Sequence, residues 1–159
     1  MTTSKCTRSA TPALATEARA TSIARAGVPD RVHFEVATAK NFPGQNYDLV
    51  TVFDCLHDMG DPVGAAAHVK QSLKADGTWL IVEPFANDRL EDNLNPLGRI
   101  FYSASTFTCT PTSRAQEVGA CLGAQAGQAR IGRVVADGGF TRFRCATQTP
   151  FNLIYEARP

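Results

Sequence analysis

The sequence predicts an α/β fold whose sheet is mostly parallel and ends in an antiparallel hairpin. Two runs, Asp48–Phe53 and Thr78–Val82, are apolar at consecutive positions, which is typical of parallel strands covered on both faces. A helical pattern lies between them. Two further strands are predicted at Phe140–Ala146 and Phe151–Ala157, joined only by Thr147–Pro150. Because a parallel crossover needs about a dozen residues, these last two strands form a hairpin.

The first residues are less regular than the rest of the chain. Residues 1–22 are rich in Thr, Ser and Ala, which predicts a poorly ordered tail and the start of a helix that ends at Gly27. Arg31–Ala37 alternates with a period of two, which predicts a half-buried strand near a sheet edge. Residues 23–159 are expected to form one partial domain, since 159 residues suffice for one core and not for two.

Start and stop signals follow the first buried strand. Asp61-Pro62 offers an N-cap oxygen and a proline at the first helical position, so a helix begins there. Asp76-Gly77 turns the chain into the second buried strand. Ser113 with Gln116 has the spacing of a capping box and predicts another helix start. A later helix is expected to end at Gly138-Gly139.

Composition excludes several classes of function. Hydrophobic content of 43% and charged content of 19% indicate a soluble globular protein. The net charge of +1 gives no attraction to nucleic acid, and no apolar run approaches the ~20 residues of a membrane span. The five cysteines form no C-x-x-C pair, and no apolar core of a secretory signal is present. We therefore expect a reduced, cytoplasmic protein without nucleic-acid or membrane partners.

Four segments, taken in order, resemble one enzyme family. They read ARAGVPDRVHFEVATA, YDLVTVFDCLHDMGDP, LKADGTWLIVEP and GGFTRFRCATQTPFNLIYEARP. They resemble the junction between a helix and the third strand, the fourth strand with its loop, the fifth strand and the terminal hairpin of the class I S-adenosylmethionine-dependent methyltransferases. The L-H-D element and GTWLIVEP are similar to those of small-molecule O-methyltransferases. The resemblance covers Ile23 to the C-terminus.

The resemblance implies an incomplete Rossmann-like methyltransferase sheet. The family holds the cofactor on a G-x-G-x-G turn after strand one and on an acidic residue after strand two, and this chain contains neither. The first inner strand, its helix and the second strand are therefore expected to be missing. The fourth strand would then expose an apolar edge, which favours self-association.

His57 and Glu83 are the predicted catalytic residues. By resemblance, His57 is the general base that deprotonates a hydroxyl, and an imidazole has a suitable ordinary pKa of about 6.5. Glu83 ends the second buried strand and could orient His57. The plainer alternatives are a histidine that binds a loop carbonyl and an exposed carboxylate that binds nearby backbone N–H groups.

The cofactor implied by the resemblance is S-adenosylmethionine. Phe53, Asp54 and Cys55 follow the fourth strand, where the family lines the cofactor floor. Thr38 and Ala39 end the third strand, where the family places an acidic residue near the adenine, so that role is carried over only weakly. Cys55 fits a small packing residue better than a nucleophile.

Residues 85–112 look like an inserted lid or substrate segment. Its aromatic residues either line a pocket for an apolar methyl acceptor or belong to the core: Phe101, Tyr102 and Phe107. Its acidic residues are interpreted as a charged lid, so no metal site is predicted: Asp88, Glu91 and Asp92.

Two functions of different kinds fit this sequence. The first is an S-adenosylmethionine-dependent methyltransferase that acts on a small molecule, truncated and weak or inactive by itself. The second is a non-catalytic remnant or association module derived from the same fold. A nicotinamide dehydrogenase fits less well, because the terminal hairpin and the L-H-D loop do not suit it.

Overall fold

The computed structural model describes residues 2–3, 27 and 31–159. Their strands form one sheet in the order β1-β2-β3-β5-β4. The bounds are Thr2–Thr3 (β1), Tyr47–Phe53 (β2), Leu73–Pro84 (β3), Arg142–Gln148 (β4) and Asn152–Arg158 (β5). β2 pairs in parallel with β1 and β3, whereas β5 is antiparallel to both β3 and β4. Four of these five strands therefore run in one direction and β5 is reversed, which confirms the predicted sheet and its terminal hairpin.

The helices of the described residues connect and cover these strands. Their bounds are Pro62–Ser72 (α1), Pro96–Ala104 (α2), Thr110–Arg114 (α3) and Gly127–Asp137 (α4), with a π-helical turn at Ser105–Cys109 and 3₁₀ turns at Leu56–Asp58 and Glu91–Asn93. The predicted start of α1 is confirmed. Pro62 occupies its first turn, and Asp61 Oδ1 accepts a hydrogen bond of 2.8 Å from the Gly64 N–H.

The core lies on the face of the sheet that α1 and α4 cover. Trp79 and Ile81 of β3 are fully buried there, and the Trp79 ring lies 5.2 Å from that of Phe140. On the opposite face of β3, Leu80 and Val82 are only half-buried. The prediction that both faces are fully covered is therefore wrong for β3, because only one face carries packed helices among the described residues.

Two predictions about the N-terminal part differ from the structure. Arg31–Ala37 forms no strand, and Val36 is 70% exposed. A strand needs a ladder partner, and the outer edge of β2 is paired with β1 instead, through Thr2–Val50 and Thr3–Thr51. The edge of β2 that was expected to be unpaired is therefore paired over two residues. Its partner, β1, lies in the segment that was expected to be an unstructured tail. The rest of that tail and the predicted first helix lie outside the described residues.

Candidate functional site

The candidate site lies where β2 and β3 end. Asp54 follows β2 with φ of 46°, in the left-handed region, and its N–H donates to Val82 O at 2.8 Å. This turn bends the chain over the end of β3 and into the 3₁₀ turn Leu56–Asp58. Because the carboxyl ends of parallel strands share one edge of the sheet, the loop after β2 meets the last residues of β3.

The structure brings the two predicted catalytic residues together. His57 Nδ1 lies 2.5 Å from Glu83 Oε2, and both side chains are about 95% buried. The other carboxylate oxygen of Glu83 accepts from the N–H groups of Leu56 at 2.9 Å and Cys55 at 3.3 Å. Glu83 therefore fastens the loop and the imidazole at once, and it is not the exposed strand-end carboxylate of the plainer alternative.

The electrostatics of this pair raise the pKa of His57, so its neutral form is a stronger base than a free imidazole. Burial lowers the pKa of His57, but the hydrogen bond and charge of Glu83 outweigh it, helped by the charges of Asp58 and Asp54, so the pKa lies above 6.5. An ionised carboxylate only accepts hydrogen bonds, so Nδ1 carries the proton that points to Glu83. The second ring nitrogen of His57, Nε2, lies 3.4 Å from Asp58 Oδ1.

Residues from the α3 region clamp the loop that carries His57. Ser113 Oγ donates to Met59 O at 2.8 Å and accepts from the Cys121 N–H at 3.0 Å. Gln116 Oε1 accepts from the Gly60 N–H at 2.9 Å. The predicted helix start at Ser113 is wrong, since α3 ends at Arg114. The polar side chains that suggested a capping box are used instead to satisfy the backbone of the site loop.

The five residues predicted to bind the cofactor do not converge on one cavity. Ala39 and Cys55 line a cavity of about 50 Å³ beneath the site loop. Phe53 is 38% exposed, and Asp54 Oδ1 accepts from Asn152 Nδ2 at 3.0 Å. The Thr38 hydroxyl donates to Asn41 Oδ1 at 2.7 Å. Ligand pockets usually measure ~300–1,000 Å³, so this cavity does not fit a nucleoside. Cofactor binding by these residues stays a prediction.

The hydrogen bonds of the segment 85–112 stabilise the structure around the site, and its aromatic residues do not form a complete pocket wall. Asp88 Oδ1 accepts from the Ala129 N–H at 2.7 Å and so caps the start of α4. Asn93 is buried and its amide donates to Asn87 O and Arg89 O, both at 2.9 Å. The predicted aromatic wall is not formed in full, because Phe107 is 83% exposed. Phe101 and Tyr102 are half-buried.

Cys109 is a site residue that sequence reasoning missed. It is buried at the end of the π-helical turn, and its sulfur lies within 4.8 Å of the ligand atoms offered by His57 and Asp58. No spacing motif links Cys109 to the L-H-D element, so only the fold could show this cluster.

The strand order and the reversed β5 are those expected for the C-terminal part of a methyltransferase fold. Comparison with solved structures agrees. Mitomycin 7-O-methyltransferase MmcR is 18% identical with a TM-score of 0.66, over 93% of this chain and 40% of that one. PigF, solved with SAH, is 15% identical with a TM-score of 0.66, over 91% and 41%. An O-methyltransferase family 2 protein from Planctomyces limnophilus in complex with apigenin is 17% identical with a TM-score of 0.65, over 90% and 40%.

The likeness is limited to structure and to part of each solved protein. The sequence matches no protein-family model and no curated protein. The chain spans about 40% of the length of the solved structures reported above. None of the helices in the described part is both long and apolar enough to span a bilayer. The fold is therefore that of the C-terminal part of these methyltransferase structures.

Proposed function

We propose that this chain is the C-terminal part of an S-adenosylmethionine-dependent O-methyltransferase for a small molecule. The observation that carries the proposal is the buried contact of 2.5 Å between His57 Nδ1 and Glu83 Oε2, at the ends of two adjacent parallel strands. In an open α/β sheet this edge is where ligands bind. The solved neighbours support it, since MmcR and the Planctomyces limnophilus protein are named as O-methyltransferases.

His57 acts in this proposal as the general base. A hydroxyl becomes a strong nucleophile when its proton is removed as it attacks, and a positioned imidazole contributes about 10²–10⁴-fold to such a step. Glu83 holds Nδ1 and stabilises the imidazolium that forms, because its carboxylate is buried beside the ring. Nε2 is then the nitrogen that accepts the proton. S-adenosylmethionine, when bound, supplies the methyl group.

The residues predicted to bind the cofactor line no cavity large enough for a nucleoside. The cavity next to Cys55 holds about 50 Å³, and no glycine-rich turn occurs in the sequence. We therefore propose that the chain alone binds S-adenosylmethionine weakly or not at all. Isothermal titration calorimetry with S-adenosylmethionine and S-adenosylhomocysteine tests this, and a micromolar dissociation constant would contradict it.

The catalytic part is tested by transfer of a labelled methyl group to a panel of phenols and alcohols. The full chain is incubated with millimolar S-adenosylmethionine, beside the variants His57→Ala and His33→Ala. His33 is exposed and serves as the matched control. We expect His57→Ala to abolish any transfer that the wild-type chain supports at this concentration, and His33→Ala to preserve it. Transfer that survives His57→Ala would refute the role of His57.

A second function, an association module, is favoured by one observation. Among the described residues, the outer edge of β2 is paired at Val50 and Thr51, which are two of its seven residues, through β1. An unpaired ladder edge is a template for another strand. Self-association through this edge predicts a dimer in light scattering, and a monomer at all concentrations would exclude it.

A further inference from the structure

We infer that His57, Asp58 and Cys109 form a binding site for a zinc-like divalent cation. Their ligand atoms all lie within 4.8 Å of one another. They offer an imidazole nitrogen, a carboxylate oxygen and a sulfur, which is a donor set that zinc prefers. Three protein ligands with one open position is the usual composition of a zinc site that is not purely structural.

The distances suit the ion after a small adjustment. Zinc bonds of about 2.0–2.3 Å in a tetrahedron place the ligand atoms roughly 3.3–3.8 Å apart. His57 Nε2 and Asp58 Oδ1 are already 3.4 Å apart. Cys109 must approach by at most about 1 Å, and it lies at the end of a π-helical turn, a distortion that is frequent at functional sites.

A second observation points to a cation at this place. Asp58 Oδ1 is a buried oxygen that makes no hydrogen bond in the described structure, although His57 Nε2 lies 3.4 Å from it. Such an oxygen is costly unless a donor or a cation meets it. Once Nε2 is deprotonated, the thiolate, the carboxylate and the neutral imidazole carry a charge of −2, which a divalent cation neutralises.

Glu83 orients the histidine ligand of the proposed metal site. It accepts the hydrogen bond of His57 Nδ1 and so holds the ring with Nε2 at 3.4 Å from Asp58 Oδ1. Carboxylate–histidine–metal chains of this kind orient the ligand and raise its basicity. On binding, the S–H bond of Cys109 breaks, a metal–sulfur bond forms and the thiol proton is released to solvent. Where His57 is an imidazolium, the N–H bond at Nε2 also breaks, a metal–nitrogen bond forms and a second proton is released.

The proposed metal site affects the proposed function because both use His57 Nε2. A cation on this nitrogen occupies the lone pair that the general base needs, so the bound ion would inhibit proton abstraction. This consequence depends on the proposed function, but the binding itself does not. The two are therefore tested separately, because metal binding is read from absorption and not from methyl transfer.

The probe is Co²⁺, added to the full chain under reducing conditions. We expect one equivalent to give a thiolate-to-cobalt charge-transfer band, and Zn²⁺ to displace it. Cys109→Ser should remove the band, whereas Cys121→Ser, a cysteine nearby in the same region, should leave it. Glu83→Gln should weaken Zn²⁺ binding, measured by competition with a chelating dye, by about 10–100-fold. No charge-transfer band in the wild-type chain, or a band that persists in Cys109→Ser, would overturn the inference.

Discussion

Glu83→Gln is the substitution that probes the site loop most directly. It keeps the size of the side chain and removes its charge. In the native protein the carboxylate accepts from Leu56 N, Cys55 N and His57 Nδ1. An amide has one oxygen and one N–H₂ group, so one of these three donors would face another donor.

The expected loss follows from these contacts. A hydrogen bond to a charged group contributes about 1.5–3 kcal/mol, against about 0.5–1.5 kcal/mol for a neutral one. Weakening the two backbone bonds costs roughly 1 kcal/mol each at most, and the contact at Cys55 is long. An unmatched buried donor adds about 1–3 kcal/mol. We therefore expect Glu83→Gln to lower the free energy of unfolding by about 2–4 kcal/mol, a large share of the ~5–15 kcal/mol of a typical domain.

Urea unfolding measures this loss, with fluorescence as the signal. Trp79 is the only tryptophan of the chain and is fully buried, so its emission reports the loss of the core. Glu117→Gln is the matched control. Its carboxylate is 82% exposed and meets Lys40 at the surface, so we expect a change within about 0.5 kcal/mol. A Glu83→Gln midpoint and slope that match those of Glu117→Gln would refute the role of Glu83 as the anchor of the loop.

Three further substitutions test the fold around the site. Asp61→Ala removes the cap on Gly64 N–H and should cost about 1 kcal/mol at pH 7. The Gly64 N–H, helped by Lys40, holds the pKa of Asp61 below 3.8, so the contribution of the cap is present above that pH and is lost as the pH falls through the lower folded value. Urea midpoints of wild type and Asp61→Ala should converge in acid, and a constant difference would contradict this assignment. Gly138→Ala places a methyl group 2.4 Å from the Cβ of Ala66 and should cost about 1–3 kcal/mol by thermal unfolding, so an unchanged Tm would show that α1 and α4 pack less closely. Phe140→Ala empties the space beside Trp79 and should cost about 3–5 kcal/mol in urea, whereas a loss below 1 kcal/mol would remove that ring from the core.

Local signals in the sequence predicted the C-terminal part of the fold well. The continuous apolar runs located β2 and β3, and the short link between the last two strands made the hairpin antiparallel. Asp61-Pro62 marked the start of α1 because capping chemistry depends on neighbouring residues only. These features need no knowledge of distant contacts.

Features that depend on distant partners were not predictable in the same way. Arg31–Ala37 has the alternation of a strand but lacks a ladder partner in the described structure, and Ser113 has the spacing of a cap but binds the backbone of another loop. His57 and Glu83 were found by resemblance, and their contact of 2.5 Å came from the fold. Cys109 carries no local signal at all, because its neighbours in space are far away along the chain.

The most direct test of His57 as the base is kinetic. In a chimera, residues 31–159 replace the structurally equivalent part of mitomycin 7-O-methyltransferase, so that a complete cofactor site is present. We predict methyl transfer whose kcat falls by about 10²–10⁴-fold in His57→Ala and stays unchanged in His33→Ala. A folded, cofactor-binding chimera that is inactive, or one in which His57→Ala is as fast as the parent, would contradict the account.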